Sequence, residues 1–337
     1  MSKRPVNLPA DSSPLIESFV ADVARTSSYM RWLRRGGLIF LGAAGSLALA
    51  VGAASFPLSG LLIRPKLKRL SQLNSPHLKR LIRQRGFSLE EVIVRSFDGT
   101  RLHGWWMPAS AAAATVVVLH GVKKNRTDVA RAMLLLRMAG FNVLVFDGRA
   151  HGHSEGRFVT YGAHEVRDLE SAIDWLSKEK SIDRNKVGIA GESMGAAIAL
   201  QFVALHPWIQ CVWADSPFAS LERVTSEFVS KKTHLPTTVL HPVLWTTIQV
   251  ANRRGKFDVR TVDPLAVAER IKCPVYLVHG TADQLIDTAH SLNIYDALGG
   301  EKEMWLVEGA RHARCARHAK EQYAERLVSF FNAKLKS

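Results

Sequence analysis

KVGIAGESMGAAIALQFVALHP, running from Lys186 to Pro207, decides how this chain folds. Val187-Gly188-Ile189-Ala190 is a short apolar run of the kind that lies buried as a strand. It leads into Gly191-Glu192-Ser193-Met194-Gly195, and Ala196-Ala197-Ile198-Ala199-Leu200 then begins an apolar helix that Pro207 stops. A serine presented as a nucleophile must sit on a sharp strand-to-helix turn. Glycines two residues to either side let strand and helix close without intervening side chains. The turn also aims the Met194 N–H, at the helix start, toward an oxyanion forming on an attacked carbonyl. A purely structural Gly-Ser-Gly turn is the alternative, and it has no need of the strand before or the helix after.

On this elbow the sequence resembles the α/β-hydrolase superfamily, over about residues 88–335. The surrounding pattern agrees. Val92-Ile93-Val94 and Leu102 to Trp106 flank Asp98-Gly99, a hairpin signal. Buried strands are expected at Thr115–Leu119, Asn142–Phe146, Cys211–Ala214, Val275–Val278 and Met304–Val307. Helices are expected at Thr127–Met138, His164–Ser177 and Glu321–Phe331. Alternating buried strands and helices predict an α/β fold whose mostly parallel sheet is covered on both faces. Between Phe218 and Val262 the rhythm breaks, and the resemblance implies a small lid there (about 218–262). Phe228, Val239, Leu240, Val243, Leu244 and Trp245 are its candidates for lining an acyl pocket, against the plainer role of holding the lid to the body.

A nucleophilic serine needs a base, and the base an orienting acid, in the chain order Ser, Asp, His. After the strand at Val275 comes His279-Gly280-Thr281-Ala282-Asp283, which resembles the superfamily's turn bearing the acid. After the last strand comes Glu308-Gly309-Ala310-Arg311-His312, similar to its histidine loop. The resemblance therefore implies Ser193 as nucleophile, His312 as base and Asp283 as the group that fixes its tautomer. Asp215 is the alternative acid and His318 the alternative base, while His290 follows Asp283 too closely to be its partner. The loop His120-Gly121-Val122 implies the Val122 N–H as second oxyanion donor beside Met194. It is not the triple-glycine loop of many lipases, which argues against bulky tertiary-alcohol esters. Lys123, Lys124 and Arg126 follow, as attractors of anionic substrates or as a solvated turn. His151-x-His153 has metal-ligand spacing but sits in a stretch similar to the superfamily's structural loop after its fourth strand. No metal and no cofactor is expected.

The chain has 337 residues, 47% hydrophobic, with a net charge of +15. Residues 1–85 hold 14 Lys/Arg against 3 Asp/Glu, whereas residues 86–337 hold 31 against 27, so the excess belongs to the N-terminal extension. It flanks an uncharged run, which points to a membrane surface and away from nucleic acid. Residues 1–35 are polar. Residues 36–63 carry no charge, and Leu38–Phe56 is long enough as a helix to cross a hydrocarbon core of about 30 Å. A cleaved signal ending near Gly52-Ala53-Ala54, with export, is the alternative. Residues 64–87 interleave basic and apolar positions like a segment lying on anionic headgroups. More positive charge after the span than before it places the body, residues 88–337, in the cytoplasm. Cys211, Cys273 and Cys315 are an odd, scattered set, unlike a disulfide framework or zinc site.

The expectation is a membrane-anchored serine hydrolase of small-molecule or lipid acyl esters, thioesters or amides. A serine peptidase of the same fold is the alternative within enzymes. A silent hydrolase-fold membrane module is the alternative outside them.

Overall fold

The computed structural model describes Arg25, Leu49, residues 51–65 and residues 76–336. The chain divides into two compact units, Met1–Ala54 and Ser55–Ser337, and the sheet lies in the second. It has eight strands: β1 (Glu90–Arg95), β2 (Arg101–Met107), β3 (Thr115–Leu119), β4 (Asn142–Phe146), β5 (Val187–Glu192), β6 (Cys211–Asp215), β7 (Val275–Gly280) and β8 (Lys302–Val307). Their order is β1-β2-β4-β3-β5-β6-β7-β8. The β1/β2 hairpin is antiparallel to itself and to β4, and every other pair is parallel. Strands β3, β4 and β6 are buried at every position, as runs such as Thr-Val-Val-Val-Leu require when both faces are covered.

The helices are α1 (Pro76–Gln84), α2 (Ala130–Met138), α3 (Glu165–Glu179), α4 (Met194–Val203), α5 (Leu221–Thr233), α6 (Thr237–Gly255), α7 (Thr288–Ala297) and α8 (Lys320–Leu335). One core layer takes Leu169, Ile173 and Leu176 of α3, Ile198 and Phe202 of α4, and Ile294 of α7. The other takes Met133 and Leu136 of α2, Leu327 and Phe331 of α8, and Leu78 and Ile82 of α1. The break in rhythm after Phe218 is the helical pair α5 and α6.

The expected span at 36–63 falls largely outside the described residues, since 36–48 and 50 are not among them. Among the described residues no helix is long and apolar enough to cross a membrane. Residues 51–63 are helical, and from Ser55 onward they belong with the body. Ser55, Ser59 and Ile63, four residues apart, are all fully buried. Burying Ile63 alone contributes about 1.5–3 kcal/mol.

The basic segment also differs from its expectation. Residues 66–75 lie outside the described residues, but Leu78 and Ile82 of α1 are buried in the second core layer. That part of the apolar stripe is therefore not free to lie in headgroups. Arg80, Arg83 and Arg85 remain exposed.

Candidate active site

The loops that leave the C-terminal ends of β3, β5, β7 and β8 converge, as expected where ligands bind in open α/β sheets. Ser193 sits between β5 and α4 with φ 54° and ψ −114°, left-handed backbone that a non-glycine residue adopts only under constraint. Its N–H donates to the Asp215 carbonyl at 2.7 Å, which locks the turn. A Cβ on Gly191 would collide with the Gly195 backbone, and one on Gly195 with the Leu119 carbonyl. This is why glycine stands at both places.

Ser193 Oγ lies 2.9 Å from His312 Nε2, and His312 Nδ1 lies 2.7 Å from Asp283 Oδ2. The other oxygen, Asp283 Oδ1, accepts from the Leu285 and Ile286 N–H groups, each at 2.9 Å. Burial alone raises the Asp283 carboxyl, but hydrogen bonds from His279 and His312 outweigh it and hold the group well below the usual carboxylate range. A carboxylate at Nδ1 makes that nitrogen the donor and leaves Nε2 to accept from the serine.

His279 was quoted in the sequence only as the start of the acid turn. Its Nε2 lies 3.2 Å from Asp283 Oδ2 and 3.0 Å from the Ile286 carbonyl, and its Nδ1 2.6 Å from Ser291 Oγ. It braces the acid.

The alternatives lie elsewhere. Asp215 is fully buried and its Oδ1 accepts from Ser216 Oγ at 2.8 Å; burial pushes its carboxyl up. His318 is exposed beside Gly309. His290 is buried, accepts from the Ala219 N–H at 3.0 Å and meets Glu227 Oε2 at 2.8 Å, tying α7 to the lid helix α5.

Val122, Ser193 and Met194 face one cleft. The Met194 N–H belongs to the first turn of α4, where amides have no partner within the helix. Two buried histidines shape the loop that carries Val122. His120 Nδ1 donates to the Gly121 carbonyl at 2.8 Å while Nε2 accepts from the Gly148 N–H at 2.9 Å. His151 Nδ1 donates to the Arg149 carbonyl at 2.9 Å and Nε2 accepts from the Lys123 N–H at 3.3 Å, where Lys123 has φ 65°. Both are accepting through one nitrogen and so are neutral. Burial pushes each down to about 4. His151 is thus a brace for the loop, and His153 packs edge-on against the His103 ring.

The expected cationic mouth is mostly spent internally. Lys124 pairs with Glu192, and Arg126, only 3% exposed, pairs with Asp147 at 2.5 Å. Lys123 alone of the three lines the cleft.

The cleft encloses about 290 Å³, the lower end of small-molecule sites. Phe228, Leu240, Val243 and Leu244 of the lid line it, with Phe218, Leu285 and Ile286 beneath. Val239 and Trp245, expected there too, are 62% and 56% exposed and point away. Leu58, Leu61, Leu62 and Pro65 complete the wall, a contribution the sequence reading missed. Leu58, Leu61 and Leu62 have helical spacing, but an uncharged run hides such a stripe.

A profile of the prolyl oligopeptidase family matches residues 127–337. An uncharacterized Bacillus subtilis protein, YqkD, is 29% identical over 242 residues, 71% of this chain and 78% of that one. Among solved structures, an esterase from Pyrococcus furiosus aligns with a TM-score of 0.63 and 26% identity, covering 75% of this chain and 94% of the esterase. The acylaminoacyl peptidase of Pyrococcus horikoshii shares the fold at a TM-score of 0.58 and 19% identity, over 76% of this chain and 43% of that one.

Proposed function

We propose, from the premise that the chain belongs to the prolyl oligopeptidase family and is a hydrolase of the α/β-hydrolase type, that it transfers an apolar acyl group from an ester, thioester or amide to water through Ser193. The observation that carries this reading is the chain of hydrogen bonds from Ser193 to His312 to Asp283, opening into a hydrocarbon-lined cleft. His312 Nε2 takes the hydroxyl proton as Ser193 Oγ bonds to the carbonyl carbon. The Met194 and Val122 N–H groups receive the developing oxyanion. His312 then gives that proton to the leaving group as its bond to carbon breaks, leaving an acyl-serine. Water, deprotonated by His312, releases the acid and restores the serine. Asp283 keeps Nδ1 protonated throughout and stabilises the imidazolium.

Peptide hydrolysis is the second reading, favoured by the family match. Apolar side chains dominate the lining, with Lys123 its only charged member, which favours a hydrocarbon acyl group over a peptide. Attachment to a membrane through the uncharged run ahead of the compact body, Leu38–Ala54, belongs to the same proposal, since residues 36–54 carry no charge and follow a basic cluster.

The deciding experiment assays the purified full chain on p-nitrophenyl esters of rising acyl length, acyl-CoAs and aminoacyl arylamides. Turnover that rises with acyl length is expected. Preference for the arylamides establishes the peptidase, and no Ser193-dependent turnover on any of them ends both readings.

A further inference from the structure

Residues 55–65, the start of the compact body, were expected to be the end of a span followed by a basic segment on headgroups. It is instead held in place along its length. Arg254 donates to the Phe56 carbonyl at 2.8 Å and to Ser59 Oγ at 2.7 Å, with its guanidinium 4.2 Å from the Phe56 ring centre. Ser55 Oγ meets Thr246 Oγ1 at 2.7 Å. Farther along, the Tyr161 hydroxyl donates to the Leu62 carbonyl at 2.9 Å, and the Ile63 carbonyl accepts from the Val159 N–H at 2.9 Å. The first two ties go to the lid helix α6. The others go to the loop between β4 and α3, so the segment bridges lid and body.

What the segment presents inward is chemically uniform. Leu58, Leu61, Leu62 and Pro65 all line the cleft that contains Ser193. Yet Leu58 and Leu61 are 39% and 67% exposed, so neither is the anchor. Burial of Ile63, packing of Leu62 against the Phe218 and Leu221 cluster and the hydrogen bonds hold the segment, and Leu58 and Leu61 are left facing a cleft with little to touch. The unbranched hydrocarbon chain of an acyl group carried on Ser193 Oγ matches that surface.

We propose that residues 55–65 form a wall of the acyl subsite, and that Leu58, Leu61 and Leu62 make the enzyme select long, unbranched acyl chains over short ones. The proposal rests on the acyl-transfer reading above. Selection follows from area: each methylene that leaves water for this wall strengthens binding, whereas an acetyl group ends before reaching it. The family match begins at residue 127, so the wall lies outside the part of the chain shared with that profile.

The test uses the full chain in detergent and compares p-nitrophenyl acetate with p-nitrophenyl octanoate. The parent should prefer octanoate. Leu58→Ser with Leu61→Ser should lower kcat/KM for octanoate about tenfold or more while leaving acetate within about twofold. Arg254→Gln, a residue outside the cleft, should shift the ratio in the same direction by releasing the segment. Burst labelling by a fluorophosphonate shows in every variant that Ser193 remains reactive. Equal loss on both esters, or no loss on either, overturns the wall. A parent that prefers acetate overturns the wall, whereas a parent that prefers an arylamide, or turns over neither ester through Ser193, overturns the apolar-acyl reading before any variant is compared.

Discussion

At the residue scale the proposed chemistry rests on three side chains held by backbone. Ser193→Ala should abolish fluorophosphonate labelling and lower kcat by about a thousandfold or more, leaving only oxyanion and binding contributions. The carboxylate assignment is sharper. Asp283 Oδ2 reaches His312 at 2.7 Å, whereas Asp215 spends its oxygen on Ser216. Asp283→Asn should therefore cost activity heavily and add little when combined with Ser193→Ala, since members of one catalytic unit are non-additive. Asp215→Asn should act mainly on stability. If it inactivates a folded protein while Asp283→Asn does not, the acid is Asp215. These residues were legible because each stands at a fixed offset from a buried strand, which is a local property. His279 was less legible, because its bracing of Asp283 depends on the fold of the whole acid turn through Ile286 and Ser291.

Elements were legible where burial on both faces demanded it. The sequence-based bounds of β3 and β4 coincide with those observed, and the other strands extend one to three residues beyond theirs. The loops owe their shape to charges and histidines whose partners are distant in sequence. The loop after β3 is held by neutral His120 and His151, and that has a measurable consequence. Their pKa falls from about 6.5 unfolded to about 4 folded, so between these values the unfolded chain binds more protons. Stability is then fully present above about pH 6.5 and is lost as pH falls toward 4, on the order of 3 kcal/mol per histidine. Urea midpoints from pH 8 to pH 4 should be flat at first and then fall. His151→Gln should remove part of the slope in that window. A slope that begins only below pH 4 would point instead to Asp283, whose depressed pKa costs stability there. The buried Arg126–Asp147 pair acts in the same loop. Arg126→Met strands a carboxylate with no exposure and should cost about 3–5 kcal/mol in the same denaturation assay.

For the molecule as a whole, the proposed division into an anchor and a body turns on where the uncharged run would stop facing lipid. Charge counting places that point near Ile63, because nothing between 36 and 63 is charged. The compact unit begins at Ser55, because Ser55, Ser59 and Ile63 are buried against protein. A buried helix and a spanning helix have the same composition, so no count of residues separates them. Two attachments to a membrane would follow from the proposal, and they differ in strength. The helix α1 has Leu78 and Ile82 buried in the body and offers mainly Arg80, Arg83 and Arg85, a weak and screened attraction. Leu38–Ala54, if it spans, offers transfer of an apolar helix, which is effectively irreversible. The full chain should therefore stay with membranes through about 0.5 M salt, where screening is short-ranged, and through alkaline washing, and should need detergent. Leu47→Arg with Ala50→Arg adds about 2.5–3.5 kcal/mol for each charge near the centre of the span. That variant should be released by salt while keeping its activity on a soluble ester. Arg25, Arg31, Arg34 and Arg35 lie shortly before the run and eight basic residues follow it by Arg85, so the body should resist protease added to intact spheroplasts. Release of the unmodified chain by salt alone means that Leu38–Ala54 does not span, and digestion of the body from outside means that the orientation is reversed.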